Sequence, residues 1–214
     1  MKRIDSEITA FTGRRVEIIA VSKNQPIEIL NAGFNAGLRI FGENKAQEVR
    51  DKSDFYSREN VCLHFIGRLQ KNKIKYILKN CSMIQSLDSF DIASAVDESF
   101  GKEGRKIDAL MQVNSSFEEQ KAGFYPDDAL NGWRRISKLK NIVLKGIMTI
   151  GAHAGDEEVI EKSFIAAYEA YSEIKKEFMN CEILSMGMSD DYKLALKNHS
   201  NMLRLGRVLF DGLN

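Results

Sequence analysis

The sequence predicts an α/β fold, a single (β/α)8 barrel of the TIM-like kind, in one domain that spans residues 1–214. The first observation is a regular alternation of eight short apolar segments with stretches of helical periodicity, which indicates a parallel sheet. Eight is also the number of strands that closes such a barrel. The second observation is the connection Ser22–Pro26, which lacks the glycine-rich phosphate loop of an open doubly wound sheet. The closed barrel is therefore our first choice, and the open sheet is the alternative.

The elements follow in order along the chain, beginning with an amphipathic segment at residues 2–12 that predicts a first helix. In the first half we predict strands at 16–22, 39–42, 61–66 and 83–87, with helices at 26–35, 44–50, 71–79 and 90–100. In the second half we predict strands at 107–114, 142–148, 182–185 and 202–205, with helices at 127–139, 157–178 and 190–197. No helix is predicted after the eighth strand. We expect the N-terminal helix to cover that gap, because the first and eighth strands of a closed barrel are neighbours.

Composition and charge argue against several classes of protein. Hydrophobic residues make up 43% of the chain and charged residues 29%, which is typical of globular proteins in water. The formal net charge of +1 predicts neither a nucleic acid nor an anionic membrane as partner. No apolar run is long enough to span a bilayer, and the N-terminus lacks an apolar signal core. Three scattered cysteines suggest reduced thiols and a cytoplasmic protein, and three scattered histidines predict no metal site.

Lys23 is the residue around which we expect the functional site. It follows the apolar, β-branched segment Val16–Ser22, which is typical of a buried strand. An ammonium group is costly to desolvate, so partial burial favours a neutral amine that can form a Schiff base with a carbonyl compound. The alternative is that Lys23 only marks the point where the strand meets water.

Polar residues also end several other predicted strands. They lie at or just after the carboxyl ends of the strands, where barrel enzymes place their active sites. The members of this series that we consider for a site are Lys23, Asn44, His64, Ser185, Ser189 and Arg204. For His64, which lies in an apolar strand, the alternative is a hydrogen-bonded histidine of the core.

The loop from Ser185 to Asp191 is a candidate phosphate site. Its glycine allows a tight backbone turn, and its serines and following helix offer hydrogen-bond donors. The alternative is that Ser189 only caps that helix, which is worth about 1 kcal/mol, since the neighbouring aspartates would repel a dianion. The segment Arg204–Arg207 adds cationic and backbone donors, including Gly206, and favours phosphate.

Several motifs occur together in one order. They are Ala20–Lys23, Phe41–Asn44 with Gln47 and Glu48, His64–Gly67 with Gln70–Lys73, Asn114 with Glu118, Lys121 and Gly123, Gly146–Met148, Leu184–Ser189 and Arg204–Gly206. In this combination, from about residue 16 to 210, the chain resembles the pyridoxal phosphate homeostasis proteins, which share the barrel of alanine racemase.

The resemblance implies an intracellular protein of vitamin B6 homeostasis that binds pyridoxal 5′-phosphate as an internal aldimine on Lys23, without substantial turnover, catalytic residues or a metal. It implies phosphate contacts from Ser185, Ser189 and the backbone near Gly206. It places Arg204 against the pyridine nitrogen, Asn44 near the ring and His64 in the cofactor pocket. Because a guanidinium keeps its proton, Arg204 would leave the ring nitrogen unprotonated and the cofactor a weaker electron sink. Arg207 stands where the family has a small hydroxyl residue.

Two other functions stay open at this stage. One is an amino-acid racemase with the same cofactor, which needs acid–base groups on both faces of the substrate. We expect no second domain to supply the opposing base, because the chain ends at Asn214. The other is a cofactor-free Schiff-base aldolase, which an absorbance spectrum would distinguish. As partners we consider pyridoxal phosphate and apo-enzymes that depend on it, and we expect a monomer.

Overall fold

The structure, a computed structural model, describes residues 2–153 and 156–210, apart from the side chains of residues 2 and 3. Eight parallel strands form one closed barrel in sequence order. The strands are β1 Glu17–Val21, β2 Ile40–Glu43, β3 Cys62–Phe65, β4 Cys81–Leu87, β5 Ile107–Val113, β6 Ile142–Thr149, β7 Ile183–Ser185 and β8 Met202–Leu205. The prediction of a TIM-like barrel is therefore confirmed. The single domain over residues 1–214 stays a prediction.

Helices connect the strands on the outside of the barrel. They are α1 Lys2–Thr12, α2 Ile27–Asn35, α3 Ala46–Asp51, α4 Ser53–Tyr56, α5 Phe90–Lys102, α6 Ala129–Ile136, α7 Glu157–Glu177, α8 Tyr192–Lys197 and α9 Arg207–Phe210. Two predictions are wrong. The segment 71–79 contains a 3-10 helix, Lys71–Tyr76, and the short helix α9 follows the eighth strand. In the described part of the chain, no helix is long and apolar enough to cross a bilayer.

Pairing between β1 and β8 closes the barrel. Ile19 lies opposite Arg204 and Ala20 opposite Leu205, so the two strands run in register toward their carboxyl ends. Parallel strands in a barrel bring all their carboxyl ends to one face. The turn that begins at Lys23 and the segment from Gly206 onward therefore share that face.

The interior has an inner and an outer apolar layer. Inside the barrel, Ile19, Met83, Leu110, Met148 and Met202 form one buried cluster. The outer faces of the strands pack against the helices in a larger core, to which α1 contributes Ile4 and Ile8. Helix α1 lies beside α8, since the Tyr192 hydroxyl donates to Glu7 at 3.0 Å. Each fully buried aliphatic side chain stabilises the fold by about 1.5–3 kcal/mol.

A bulge in β6 requires a glycine. The register with β5 changes from Ala109–Leu144 to Leu110–Gly146, so that Lys145 is the extra residue. A β-carbon on Gly146 would collide with the carbonyl group of Ile183 in β7. The strand spacing at this point therefore depends on the missing side chain.

We expect Gly146→Ala to lower the free energy of unfolding by about 1–3 kcal/mol, because the added methyl group must push two paired strands apart. Urea denaturation measures this change through its midpoint. The neighbouring variant Lys145→Ala, at a partly exposed side chain, should change stability by no more than about 0.5 kcal/mol. Equal midpoints for Gly146→Ala and the unmodified protein would contradict the steric argument.

Candidate functional site

A cavity of about 290 Å³ opens at the carboxyl-terminal face of the barrel. Three of the predicted site residues, Lys23, Asn44 and Arg204, line it together. Lys121 and Met188 belong to the same lining. The volume is close to the lower limit of small-molecule sites, about 300 Å³. The structure thus brings together residues that lie up to 181 positions apart in the sequence, from Lys23 to Arg204.

Lys23 is exposed, whereas Ser22 before it is fully buried. The partial desolvation that we expected for this amine is therefore not present, and that part of the sequence argument is wrong. Within the described part of the chain, the Lys23 amine has no hydrogen-bond or ion-pair partner. The next residue, Asn24, adopts a left-handed backbone conformation with φ of 58°. Such a conformation is uncommon outside glycine, although asparagine tolerates it better than most residues.

Asn44, a residue of the cavity lining, has a buried side-chain oxygen without a partner among the described residues. Its Oδ1 atom is buried and accepts no hydrogen bond from any residue that the structure describes. Gly67 allows the loop after β3 to approach closely, since a β-carbon there would collide with the backbone of Asn44. Buried polar atoms normally have partners, so this oxygen points to a ligand or water at the site.

Arg204 is a buried cation whose hydrogen-bond acceptors are neutral. Its guanidinium, with the residue only 4% exposed, donates to the carbonyl of Ser185 at 2.9 Å, the Ser185 hydroxyl at 2.7 Å and the carbonyl of Thr149 at 2.7 Å. Burial lowers the pKa of Arg204 to about 10, while the charge of Asp191 acts in the opposite direction. Arg204 is therefore still protonated near neutral pH, and no carboxylate among the described residues forms an ion pair with it.

A chain of hydrogen bonds extends from Arg204 through the barrel interior. The Ser185 hydroxyl, which accepts from Arg204, donates to Gln85 Oε1 at 2.7 Å. The Gln85 amide nitrogen lies 2.9 Å from His64 Nδ1. Burial lowers the pKa of His64 to about 4, so its imidazole is neutral and Nδ1 accepts from Gln85. The sequence analysis missed Gln85, whose signal is a lone amide in the apolar strand β4.

His64, Ser185, Ser189, Gly206 and Arg207 are not among the residues that line the cavity. Ser185 and His64 are buried, and both form a hydrogen bond with Gln85 inside the barrel. His64 thus has the surroundings of the alternative that we considered, a hydrogen-bonded core histidine. The predicted cofactor contacts of these two residues, including a phosphate contact from Ser185, are not supported by this geometry.

The loops after β7 and β8 meet at Ser189 and Gly206, as the phosphate hypothesis requires. The Gly206 amide donates to the Ser189 hydroxyl oxygen across 3.3 Å, a long hydrogen bond. Arg207 is exposed, and its guanidinium pairs with Asp190. The Met188 amide donates to Asp191 Oδ1 at 2.5 Å. The donors expected for a phosphate are therefore close to one another, and the Gly206 amide, the Met188 amide and the Arg207 guanidinium already have partners within the loops.

A larger cleft, about 600 Å³, lies at the opposite end of the barrel beside α1. Two of its arginines already donate to backbone carbonyl oxygens. Arg14 binds the carbonyl of Ser200 at 2.8 Å, and Arg39 binds those of Phe34 and Leu38 at 2.7 Å. The smaller cavity, with its unpaired Asn44 oxygen and the free Lys23 amine, is thus the better candidate for binding.

Almost the whole chain is similar to known proteins. The sequence model of the family described as alanine racemase, N-terminal domain, matches residues 6–213. The pyridoxal phosphate homeostasis protein of Helicobacter pylori strain 26695 is 42% identical over 213 residues, covering 97% of this chain and 93% of that protein. The chain belongs to the pyridoxal phosphate homeostasis protein family. The member from Pasteurella multocida is 34% identical and covers 91% of this chain and 85% of its own length.

Solved structures extend the comparison. PipY of Synechococcus elongatus, solved with PLP bound, is 28% identical with a TM-score of 0.82, covering 97% of this chain and 99% of its own. A protein from Bifidobacterium adolescentis reaches a TM-score of 0.91 at 33% identity, over 98% of this chain and 92% of its own. Alanine racemase of Clostridium difficile, at 16% identity and a TM-score of 0.79, shows the shared fold alone; the match covers 97% of this chain and 55% of the racemase.

The buried His64 leads to a prediction on the pH dependence of stability. An unfolded histidine binds its proton near pH 6.5, whereas His64 in the folded protein binds it near pH 4. The unfolded state therefore binds more protons between these values, and the contribution of His64 to the free energy of unfolding falls as the pH is lowered through this window.

We expect His64→Gln to remove this contribution, so that its stability falls less between pH 7 and pH 5 than that of the unmodified protein. Urea denaturation at both pH values measures the difference. An NMR titration of the His64 ring should show no protonation above pH 5, and a midpoint near 6.5 would contradict the assignment of a neutral, buried imidazole.

Proposed function

We propose that the chain binds pyridoxal 5′-phosphate through Lys23 and acts in intracellular homeostasis of this cofactor rather than in substantial turnover. The observation that carries the proposal is one cavity lined by three residues, Lys23, Asn44 and Arg204. They carry a free amine, an unpaired buried oxygen and a buried cation, respectively. The names of the related proteins and the PLP-bound PipY structure support it.

Pyridoxal phosphate supplies an aldehyde carbon, with which a primary amine forms a C=N double bond while one water is released. Two lysines line the cavity. Lys121 Nζ is engaged by Glu118 at 2.6 Å and by the carbonyl of Gly151 at 2.7 Å. Lys23 Nζ has no partner among the described residues, which favours it as the amine that bonds to the cofactor.

Arg204 fits the nitrogen of a pyridine ring. A guanidinium can donate hydrogen bonds but not accept them, so it would bind an unprotonated ring nitrogen. Hydrogen bonds to Ser185 and Thr149 fix the orientation of the guanidinium plane. Because these acceptors are neutral, the residue keeps its positive charge at the cavity wall. A cofactor whose ring nitrogen stays unprotonated stabilises carbanions poorly, which supports binding over amino-acid turnover.

The phosphate group would bind at Ser189 and Gly206. Their hydroxyl and amide hydrogens are the donors that an anion needs, and only a long hydrogen bond of 3.3 Å would be exchanged for charge-assisted ones. Arg207 could add its charge on leaving Asp190. In this proposal Ser185 orients Arg204 and does not bind the phosphate.

The setting of this function is also part of the proposal. A cytoplasmic monomer would give pyridoxal phosphate to apo-enzymes that depend on it and take it back from their surroundings. The exposed position of Lys23 supports exchange, because water can reach a bond formed there.

The first test replaces the amine. We expect Lys23→Ala to abolish the borohydride-reducible bond to pyridoxal phosphate, because no other free amine lines the cavity. Absorbance spectra and peptide mapping of the reduced protein measure it. The control Lys162→Ala, which changes an exposed lysine of α7, should keep the bond at Lys23. A reduced adduct on Lys121 in the Lys23→Ala protein would overturn the assignment.

The second test addresses the phosphate end. We expect Ser189→Ala to weaken binding of pyridoxal phosphate by about 1–3 kcal/mol, the value of a charged hydrogen bond, and to leave binding of unphosphorylated pyridoxal nearly unchanged. Equilibrium titration with both compounds measures this difference. Ser57→Ala, on the exposed end of α4, serves as control. Equal affinity of the unmodified protein for both compounds would refute a phosphate site.

A further inference from the structure

A largely buried cluster of charged residues lies directly behind the turn that carries Lys23. We call Glu43, Glu48 and Lys52 the carboxylate–lysine cluster. Lys52 Nζ donates to Glu43 Oε1 and to Glu48 Oε2, both at 2.8 Å. It also donates to the carbonyl of Ser22 at 3.1 Å, so the cluster binds the backbone of the residue before Lys23. The three side chains are 0%, 18% and 13% exposed, respectively.

The charges in this cluster are fixed by their contacts. Burial raises the pKa of Glu43, while hydrogen bonds from Lys52 and Tyr56 act against that shift. Partial burial also acts to raise the pKa of Glu48, but hydrogen bonds from Lys52 and from the Asn24 amide outweigh it, and the pKa is lowered. Glu48 is therefore a carboxylate near neutral pH, held between Lys52 and the turn.

Glu48 stabilises the strained residue that follows Lys23. Its Oε2 atom accepts the Asn24 backbone N–H at 2.9 Å, and Asn24 has a φ of 58°. A left-handed residue other than glycine costs up to about 1–3 kcal/mol, and less when it is an asparagine, unless its surroundings stabilise it. The Asn24 N–H belongs to the peptide unit that joins Lys23 to Asn24, so the hydrogen bond to Glu48 also orients the backbone of Lys23.

We propose that Glu48, oriented by Lys52, is a positioning residue for Lys23. Its carboxylate holds Asn24 in the left-handed conformation and so keeps the Lys23 amine at the cavity, where its nitrogen can reach the aldehyde carbon of pyridoxal phosphate. The C=N bond forms there, and the carbonyl oxygen leaves as water with the two amine hydrogens. The inference rests on the proposed function, since it concerns the bond between Lys23 and that cofactor.

Two ligands separate positioning from a merely structural role. Pyridoxine 5′-phosphate carries an alcohol where pyridoxal phosphate carries the aldehyde, so it can occupy the cavity but cannot bond to Lys23. A cluster that only stabilised the fold would affect both ligands alike. A cluster that positions Lys23 should affect only the ligand that bonds to it.

We expect Glu48→Ala to slow formation of the borohydride-reducible bond at Lys23 about tenfold, which corresponds to about 1.4 kcal/mol. The dissociation constant for pyridoxine 5′-phosphate should stay within about twofold of the unmodified protein. Stopped-flow absorbance measures the rate, and calorimetry measures the alcohol's affinity. The control Glu98→Ala, at an exposed glutamate of α5, should match the unmodified protein in both.

Changes at Asn24 test the proposed cause. Glycine adopts a positive φ without strain, so adding Asn24→Gly to Glu48→Ala should recover most of the lost rate. Asn24→Ala, with Glu48 intact, should slow the bond, because alanine disfavours this conformation. If Glu48→Ala does not fold, two other variants provide the test. They are Asn24→Ala and Glu48→Gln, of which the second keeps an oxygen that can accept from the Asn24 amide.

The outcomes are distinct. An unchanged rate in Glu48→Ala and Asn24→Ala, or equal losses for both ligands, overturns the positioning role while the proposed function stands. Failure of the unmodified protein to form any reducible bond at Lys23 overturns both. A slowed bond, an unchanged affinity for the alcohol and rescue by glycine support the inference.

Discussion

Closure of the barrel through β1 and β8 is the constraint on which the site depends. Lys23 follows the first strand and Arg204 lies in the last, and only the pairing of Ile19 with Arg204 makes these two ends of the chain neighbours. The inner cluster of methionines, with Ile19 and Leu110, fills the space that this closure encloses. Methionine adapts well to such an irregular interior, where polar residues share the space with apolar ones.

The interior also explains why a cation can be buried at the base of the cavity. Arg204 has no carboxylate partner among the described residues, and burying an unpaired charge is costly. Carbonyl oxygens of Ser185 and Thr149 reduce that cost, and the Ser185 hydroxyl connects the guanidinium to Gln85 and the neutral His64. Because every member donates in one direction, from Arg204 toward His64, the chain of bonds is internally consistent and holds the guanidinium in one orientation.

Much of this could be predicted from the sequence, because apolar periodicity defines strands and because polar residues at strand ends meet on one face. The segment around Ile74 was misread since both isoleucines, Ile74 and Ile77, are buried three residues apart, a spacing that suits a 3-10 helix as well as an α-helix. Ser185 was assigned to the phosphate because it begins a loop with several donors and because the family resemblance implies that contact. Nothing in the sequence indicates that its hydroxyl instead binds Arg204 and Gln85, which lie far from it along the chain. The carboxylate–lysine cluster was missed because its contacts exist only after β2 and α3 pack behind the Lys23 turn.

The exposure of Lys23 and the hydrogen bond between Glu48 and Asn24 bear on how an exposed lysine would bind a cofactor. Activation by desolvation would require Lys23 to lie in an apolar environment, yet its side chain is exposed and its strained neighbour is held by Glu48 instead. An amine whose reactivity depends on its position and not on its burial stays in contact with water. Water can therefore hydrolyse a C=N bond formed at such an amine, which is the reverse of the step that forms the bond. For the proposed role this matters, since a protein that balances a cofactor must release it as readily as it binds it. The same exposure would be a disadvantage in an enzyme that needs a dry site to stabilise a carbanion.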